Sequence, residues 1–556
     1  LAVINLLVLS LLVTLVARLW YLQVLTGPEA RELAERTSVR LIYKDAPRGF
    51  IFDRNGEALA RNRTALTVAL DVSRLPREEW DTVLPRLARR LGLRTSEVRK
   101  IAEDPRIGPY EPRPLAVDVD KDTVIALLEH QDEFPGVLAV EIPVREYPYG
   151  TLAAHVLGHI GEINAEELAA RKGRNCPDAG VDRTTMYRAG STIGKIGVEL
   201  MYEDWLHGCP GVQKIAVDVR GRKVDELGSR EPVRGRDAFL TIDAMLQQAA
   251  EEALASGVDL AKRLTDPDTG KLYVAPAGAV VALDPRNGDV LAMASNPTFD
   301  PNMFVGAAPR EELRRLNDPD SHFPMLNRAI AEAVPPGSTF KPITAAAAWE
   351  AAMVSPSTTF SCPGYLEIGN RRFKDWDPKG HGTVGLRRSL VESCDVVYYN
   401  LGTEMHYARD RVGEHLQEVS KTFGFGRKLG IDLLGERAGL VPTAEWKEER
   451  FAQAQPYDRR WFPGDAANLA IGQGFLQVTP LQLAASYGAV ANGGTVYKPR
   501  VMRCLAKVNV ARDQAAEPAC RDGIVPAIAS PEVVSRVPVS PAALGFIGEA
   551  MAGVGL

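Results

Sequence analysis

Ser338 and Lys341 stand three positions apart in Pro336-Gly337-Ser338-Thr339-Phe340-Lys341-Pro342. A serine hydroxyl is a poor nucleophile until a neighbouring base takes its proton. Residues i and i+3 share a helix face, so at a helix start this spacing places the amine one turn from the hydroxyl. Burial and nearby charge lower a lysine pKa towards the range of a base, and a helix N-terminus favours developing negative charge. The pattern is short, and an N-capping serine followed by a solvated lysine would read the same way. Here it occurs once, directly after Pro335-Pro336-Gly337 and ahead of an Ala-rich stretch.

A second group lies 55 residues downstream, Ser393-Cys394-Asp395, between Leu386-Arg-Arg-Ser-Leu-Val-Glu392 and Val396-Val-Tyr-Tyr-Asn400. Alone, Ser393 reads as a helix cap. With the first group it is a candidate proton relay, Asp395 supplying a carboxylate. Cys362, Asp375, His381 and Cys394 fall in the same stretch. Two thiolates, an imidazole and a carboxylate make a tetrahedral zinc shell. The gaps are wider than in a zinc finger, and a Cys362–Cys394 disulfide or a surface histidine fits them equally. Four protein ligands would leave no open position, so such a zinc would be structural.

The elements that must position these groups are legible in outline. A chain of 556 residues exceeds one core and implies two to four domains. A net charge of -5, with no basic stripe, argues against nucleic acid as partner. Leu1–Ala17 carries no charge, and the apolar run continues past Arg18 through Leu19-Trp20-Tyr21-Leu22 to Leu25. With Arg18 snorkelling and Trp20 and Tyr21 at the interface, residues 1–25 read as an uncleaved transmembrane anchor. Because the first residue is Leu rather than Met, the sequence reads as starting inside a longer chain.

Residues 26–235 mix short strands, such as Leu66-Thr-Val-Ala-Leu-Asp-Val72, with charged helices, such as 77–91. A second pattern fills 236–556: a strand over 238–243, a helix over 244–256, and a hairpin whose arms flank Asn287-Gly288. A helix over 338–352 follows. The fold class is therefore α+β, with a largely antiparallel sheet flanked by helices. Of the six cysteines, Cys504 and Cys520 are a candidate pair, and pairing of Cys176 with Cys209 is left open.

Ser-x-x-Lys with a downstream Ser-x-Asn/Asp is part of the signature of penicillin-binding proteins. The chain resembles the class B members of that family, most closely the elongation-specific type (penicillin-binding protein 2). The resemblance runs through Pro47-Arg48-Gly49…Asp53-Arg54-Asn55-Gly56, Tyr149-Gly150…His155-Val-Leu-Gly158 and Gly194-Lys195-Ile-Gly197-Val-Glu199. In the second half it runs through Leu283-Asp284-Pro285, Phe299-Asp300-Pro301-Asn302, and Ile471-Gly472-Gln473-Gly474 before Thr479-Pro480.

The resemblance implies a transmembrane anchor, an elongated pedestal (dimerisation-type) domain and a transpeptidase domain. It makes Ser338 the acylated nucleophile, Lys341 its base and Ser393 a relay, with Asp395 where many relatives carry Asn. It also implies zinc, because some relatives bind it with residues matching Asp375, His381 and Cys394, the match to Cys362 being looser. The implied ligands and partners are peptidoglycan stem peptides, β-lactams, a RodA-type SEDS glycan polymerase and elongation proteins such as MreC. The implied location is the bacterial inner membrane, with the soluble domains on the periplasmic side.

The third family motif, Lys-Ser/Thr-Gly, does not occur in the chain; Lys421-Thr422-Phe423 lacks the glycine. Relatives carry it soon after a stretch like Ala550-Met-Ala-Gly-Val554, so the transpeptidase domain is read as continuing past Leu556. The competing readings are a non-catalytic scaffold that activates the polymerase, a division-type relative, a β-lactamase or antibiotic sensor, and a D,D-carboxypeptidase.

Overall fold

The structure, a computed structural model, describes residues 2–21, 39–105, 107, 112–174, 176, 186–217, 223–266, 269–306, 310–506 and 531–554. Helix α1, Ala2–Trp20, forms from the uncharged run, and Leu9, Leu12 and Val16 on it are exposed. Among the described residues no helix is both long and apolar enough to cross a membrane. Leu22–Leu25 of the expected anchor lie outside the described residues, as does Cys520.

The pedestal segment is organised on one long strand. After β1 (Val39–Lys44) and β2 (Ile51–Phe52), β3 (Ala58–Leu70) buries alternate and then consecutive residues. It pairs antiparallel with β4 (Arg113–Val117) on one edge and β5 (Val137–Glu146) on the other. The expected helix over 77–91 begins instead as a 3₁₀ turn, and the α-helix runs from Trp80 to Arg90. Its Leu84 and Leu87 meet Val68 and Leu70 of β3 in a core of their own. A ribbon pairs β6 (Ile160–Glu162) with β7 (Thr192–Gly194). β8 (Gly211–Val217) joins β1 to β9 (Lys223–Arg230) in a three-stranded sheet.

One sheet crosses from the pedestal into the second half. β10 (Ala238–Leu240) runs parallel to β2 and antiparallel to Met502–Leu505. The family-like motifs of the pedestal line this junction. Arg48 donates to Glu199 and Glu203, each at 2.7 Å, while Arg145 donates to Glu199 at 2.6 Å and to the Gly49 carbonyl at 2.6 Å. All four side chains are 8% exposed or less. Burial works against the Glu199 carboxylate, but Arg145 and Arg48 hold its pKa below the usual value. Asn302 exchanges two 2.9 Å hydrogen bonds with the backbone of Tyr147. Desolvation pushes buried His155 down to about 4, so it stays neutral against the Pro324 carbonyl at 2.7 Å.

In the second half, α2 (Ala244–Ala261) extends past its expected end, capped at its start by Asp243. The hairpin is β11 (Gly278–Leu283) and β12 (Val290–Asn296), antiparallel as expected. Gly288 at its turn takes φ 81°, a conformation that Asn-Gly turns supply. The Gln247 side chain of α2 grips the backbone of Met293 on β12 through both amide atoms, at 2.7 and 2.9 Å.

Behind this lie α3 (Lys341–Glu350), two antiparallel ribbons, and α4 (Asp395–Tyr407), α5 (Pro463–Ala470) and α6 (Pro480–Ala491). The ribbons pair β13 (Thr359–Cys362) with β16 (Gly382–Gly385), and β14 (Tyr365–Ile368) with β15 (Arg371–Lys374). The chain thus combines a mixed α/β pedestal with a helix-rich α/β second half.

Replacing Glu199 by Ala would remove the carboxylate partner of buried Arg145 and leave Arg48 with Glu203 alone. Removing one partner of a buried ion pair costs about 3–5 kcal/mol. The expected outcome is a loss of that order in urea unfolding; a change under about 1 kcal/mol would mean the network is not what holds the junction.

Candidate active site

Ser338 sits on a turn that the sequence builds from Pro335-Pro336-Gly337. Gly337 adopts φ 60°, and its N–H donates to the Gly472 carbonyl at 2.9 Å. That carbonyl partner is itself crowded: a Cβ on Gly472 would lie 2.1 Å from the Gly337 oxygen, so glycine is required there. The expected helix over 338–352 opens as a 3₁₀ turn, Gly337–Phe340, and only then becomes α3. Ser338 is on this turn, and Lys341, three positions on, is the first residue of α3. Ser338 and Thr339 are exposed, Phe340 is fully buried and Lys341 is 2% exposed. α3 is central to the core because Ala345 to Ala348 are small enough to bury completely. Thr344 fastens it to α5 through the Ala470 carbonyl at 2.7 Å.

Three groups hold the Lys341 ammonium. It donates to the Ser393 carbonyl at 2.6 Å and to Ser393 Oγ at 2.9 Å, and pairs with Asp395 Oδ1 at 2.7 Å. The Tyr398 ring lies 5.4 Å away, a cation–π contact. Ser393 can present both oxygens because its backbone is left-handed, φ 55°. Cys394 then caps α4, and Asp395 is the first residue of that helix.

Burial lowers the Lys341 pKa and raises that of Asp395, while each charge partly restores the other. Both shifts bring the two groups closer to exchanging a proton. No hydrogen bond links Ser338 to Lys341 in this resting arrangement. Catalytic hydrogen bonds are often long before substrate binds.

The four sequence-nominated metal ligands also converge. Donor atoms of Cys362, Asp375 and His381 lie within 4.8 Å of one another. His381 Nε2 is 3.2 Å from Asp375 Oδ1, and Cys362 Sγ is 3.5 Å from Asp375 Oδ2. Cys362 and Cys394 are bonded to each other, with Cα atoms 6.9 Å apart. This corrects the four-ligand zinc reading for the oxidised form, since two sulfurs joined in a disulfide cannot both act as thiolate ligands. With the disulfide opened, the set is two sulfurs, one imidazole nitrogen and one carboxylate on a buried cluster, which fits a structural zinc.

Several neighbours escaped the sequence reading. Trp376 donates its indole N–H to the Glu392 carbonyl at 3.1 Å, next to Ser393. Glu392 pairs with His381 Nδ1 at 3.2 Å. Tyr398 lies one helical turn beyond Asp395. The adjacency of Trp376 to Asp375 was the one sequence signal available for any of these. Lys421 and Thr422 lie on the helix His415–Thr422 and supply no strand to the site.

Comparison with known proteins agrees with this geometry. Residues 278–554 match the model of the penicillin-binding protein transpeptidase domain, and residues 43–240 that of the penicillin-binding protein dimerisation domain. The peptidoglycan D,D-transpeptidase MrdA of Acinetobacter baumannii is 33% identical over 89% of this chain and 68% of its own length. That of Escherichia coli K12 is 32% identical over 89% and 72%. This chain is a class B penicillin-binding protein.

Among solved structures it is similar to the complex of penicillin-binding protein 2 and MreC from Helicobacter pylori, with TM-score 0.67 and 27% identity, over 84% of this chain and 79% of that one. A peptidoglycan synthase complex that coordinates polymerisation and crosslinking matches with TM-score 0.65 and 29% identity, over 99% and 84%. As a class B penicillin-binding protein, the chain belongs with the serine acyl transferases named peptidoglycan D,D-transpeptidases.

The ion pair predicts a pH effect. Asp395 favours the ammonium form of Lys341, so Asp395→Asn should lower the lysine pKa further. The acid limb of the acylation rate against pH would then move to lower pH, since it reports loss of the lysine proton. A limb that stays in place or moves up would show that another group is the base.

Proposed function

We propose that this protein cross-links peptidoglycan stem peptides during cell elongation through an acyl-enzyme on Ser338. The observation that carries the reading is a buried lysine, clamped by Ser393 and Asp395, that opens α3 three residues after an exposed serine on the preceding 3₁₀ turn. As the Ser338 Oγ–H proton passes to Lys341, made neutral in the active form, Oγ attacks the carbonyl of the penultimate D-Ala. The peptide bond to the terminal D-Ala breaks, and that residue leaves as an amine after receiving a proton relayed through Ser393. The amine of a neighbouring stem peptide then attacks the ester, forming the cross-link and returning the proton to Ser338. The N-terminal end of the turn offers backbone N–H groups to the oxyanion. A β-lactam, mimicking D-Ala-D-Ala, would be trapped at the same serine.

The same reading divides the chain into an anchor over 1–25, a pedestal over 26–235 and a transpeptidase domain over 236–556. The anchor would be a single pass through the inner membrane, with the rest on the periplasmic side. Two disulfides, Cys176–Cys209 and Cys362–Cys394, support an oxidising compartment. Cys504 is also disulfide-bonded. A RodA-type polymerase and an MreC-type protein are the proposed partners, supported by what the two similar structures contain. In the reduced protein Cys362, Asp375, His381 and Cys394 would hold a structural zinc that braces β13 and the Trp376 loop to the start of α4. It would take no part in bond making.

The test is labelling with a fluorescent penicillin, using the protein with whatever residues follow Leu556 in its reading frame. Label is expected on the parent protein and absent from Ser338→Ala. Lys341→Ala should slow labelling by roughly 10²-fold or more. Equal labelling of the Ser338 variant would overturn the assignment.

A further inference from the structure

The two disulfides whose partners are both described sit in opposite surroundings. Cys176–Cys209 packs among Ile163, Leu168, Met186 and Tyr187, an apolar setting that suits an inert cross-link. Cys362–Cys394 is the more deeply buried, both sulfur-bearing residues being 0% exposed. Its neighbours are instead an Asp375 carboxylate, 3.5 Å from one sulfur, and the imidazole that carboxylate holds. A disulfide has no use for a buried carboxylate and imidazole. A pair of thiolates sharing a cation with them does.

We propose that Cys362 and Cys394 are an oxidation-controlled site with two mutually exclusive states: the disulfide, and a dithiolate that binds zinc together with Asp375 and His381. The zinc half rests on the reading above; the exchange goes beyond it. The reductant is a dithiol oxidoreductase of the extracytoplasmic compartment. One carrier thiolate attacks a cysteine sulfur, breaking the S–S bond, forming a mixed disulfide and releasing the other cysteine. The second carrier thiol then displaces the first cysteine. The carrier leaves as a disulfide, two electrons and two protons having passed to the pair. Binding of Zn²⁺ displaces those two protons. Oxidation by a carrier disulfide runs the same steps backwards and expels the metal.

The access route is the segment 374–383 over the cluster, in which Lys374, Trp376, Pro378, Lys379, Gly382 and Thr383 are exposed. The same segment reaches the catalytic lysine. Asp375 accepts the Val396 N–H at 3.2 Å, next to Asp395, the partner of Lys341, and Trp376 donates its indole N–H to the Glu392 carbonyl at 3.1 Å, next to Ser393. The two states therefore differ directly beside the Lys341 clamp.

The experiment uses the full chain, reduced with a phosphine and supplied with zinc. Metal content is measured by mass spectrometry, the cysteine state by alkylation and peptide mapping, and the melting temperature is followed. Expected are stoichiometric zinc, protection of Cys362 and Cys394 from alkylation and a raised melting temperature. Oxidised glutathione or a carrier disulfide should then release the zinc as the Cys362–Cys394 bond forms, with Cys176–Cys209 unchanged. Cys362→Asp, which keeps an anionic ligand but cannot form the bond, should retain zinc through the same oxidation. No zinc uptake by the reduced protein would overturn both the zinc reading and this proposal. Zinc that stays bound while the Cys362–Cys394 bond is intact would overturn only the exchange, and so would failure of the metal-free dithiol to re-form that bond.

Discussion

Everything around the active site follows from keeping a lysine ammonium 2% exposed to solvent. An isolated buried charge is costly, and it is tolerated only when hydrogen bonds and an opposite charge replace the lost water. Lys341 has both, from the two oxygens of Ser393 and the carboxylate of Asp395. That requirement explains the left-handed backbone of Ser393, which turns its carbonyl and hydroxyl to the same side. Ala345 to Ala348 are buried on every side of α3, so the helix that starts at Lys341 lies within the core while Ser338 stays at the surface. The same clamp makes the lysine useful, because burial pulls its pKa down while Asp395 keeps a proton within reach.

The clamp depends in turn on the loops that carry Ser393 and Asp395. Residues 375–376 straddle residues 392–396 with two hydrogen bonds: the indole N–H of Trp376 to the Glu392 carbonyl, and the Val396 N–H to Asp375. A covalent link from Cys394 to β13 closes the same region. Further out, β2 and β10 continue one sheet from the pedestal into the catalytic half, and the buried Arg48, Arg145, Glu199 and Glu203 lock that seam.

Much of this was legible in the chain alone. The Asn287-Gly288 hairpin, the Ser338/Lys341 spacing and the second Ser-x-Asp group rest on local rules: turn conformation, helical periodicity and the chemistry of a hydroxyl beside an amine. Those rules act over a few residues, so one sequence suffices to read them. The pedestal motifs were visible as a resemblance, and their work as a junction was not. Arg48 and Glu199 are far apart in sequence, and nothing local says that they meet. The first turn of α3 was read as α-helical and is 3₁₀, because helix ends tighten according to what they pack against.

The sequence by itself determined which groups could react and the element types that carry them, because periodicity and residue chemistry are local properties. Only the tertiary structure decided that Lys341 bonds to Ser393 and Asp395 rather than to Ser338. It also decided that Trp376 and Glu392 join the site, and that Cys362 meets Cys394 beside Asp375 and His381. Those outcomes depend on distances between segments separated by tens of residues, and such distances are set by packing and by the need to pair every buried charge.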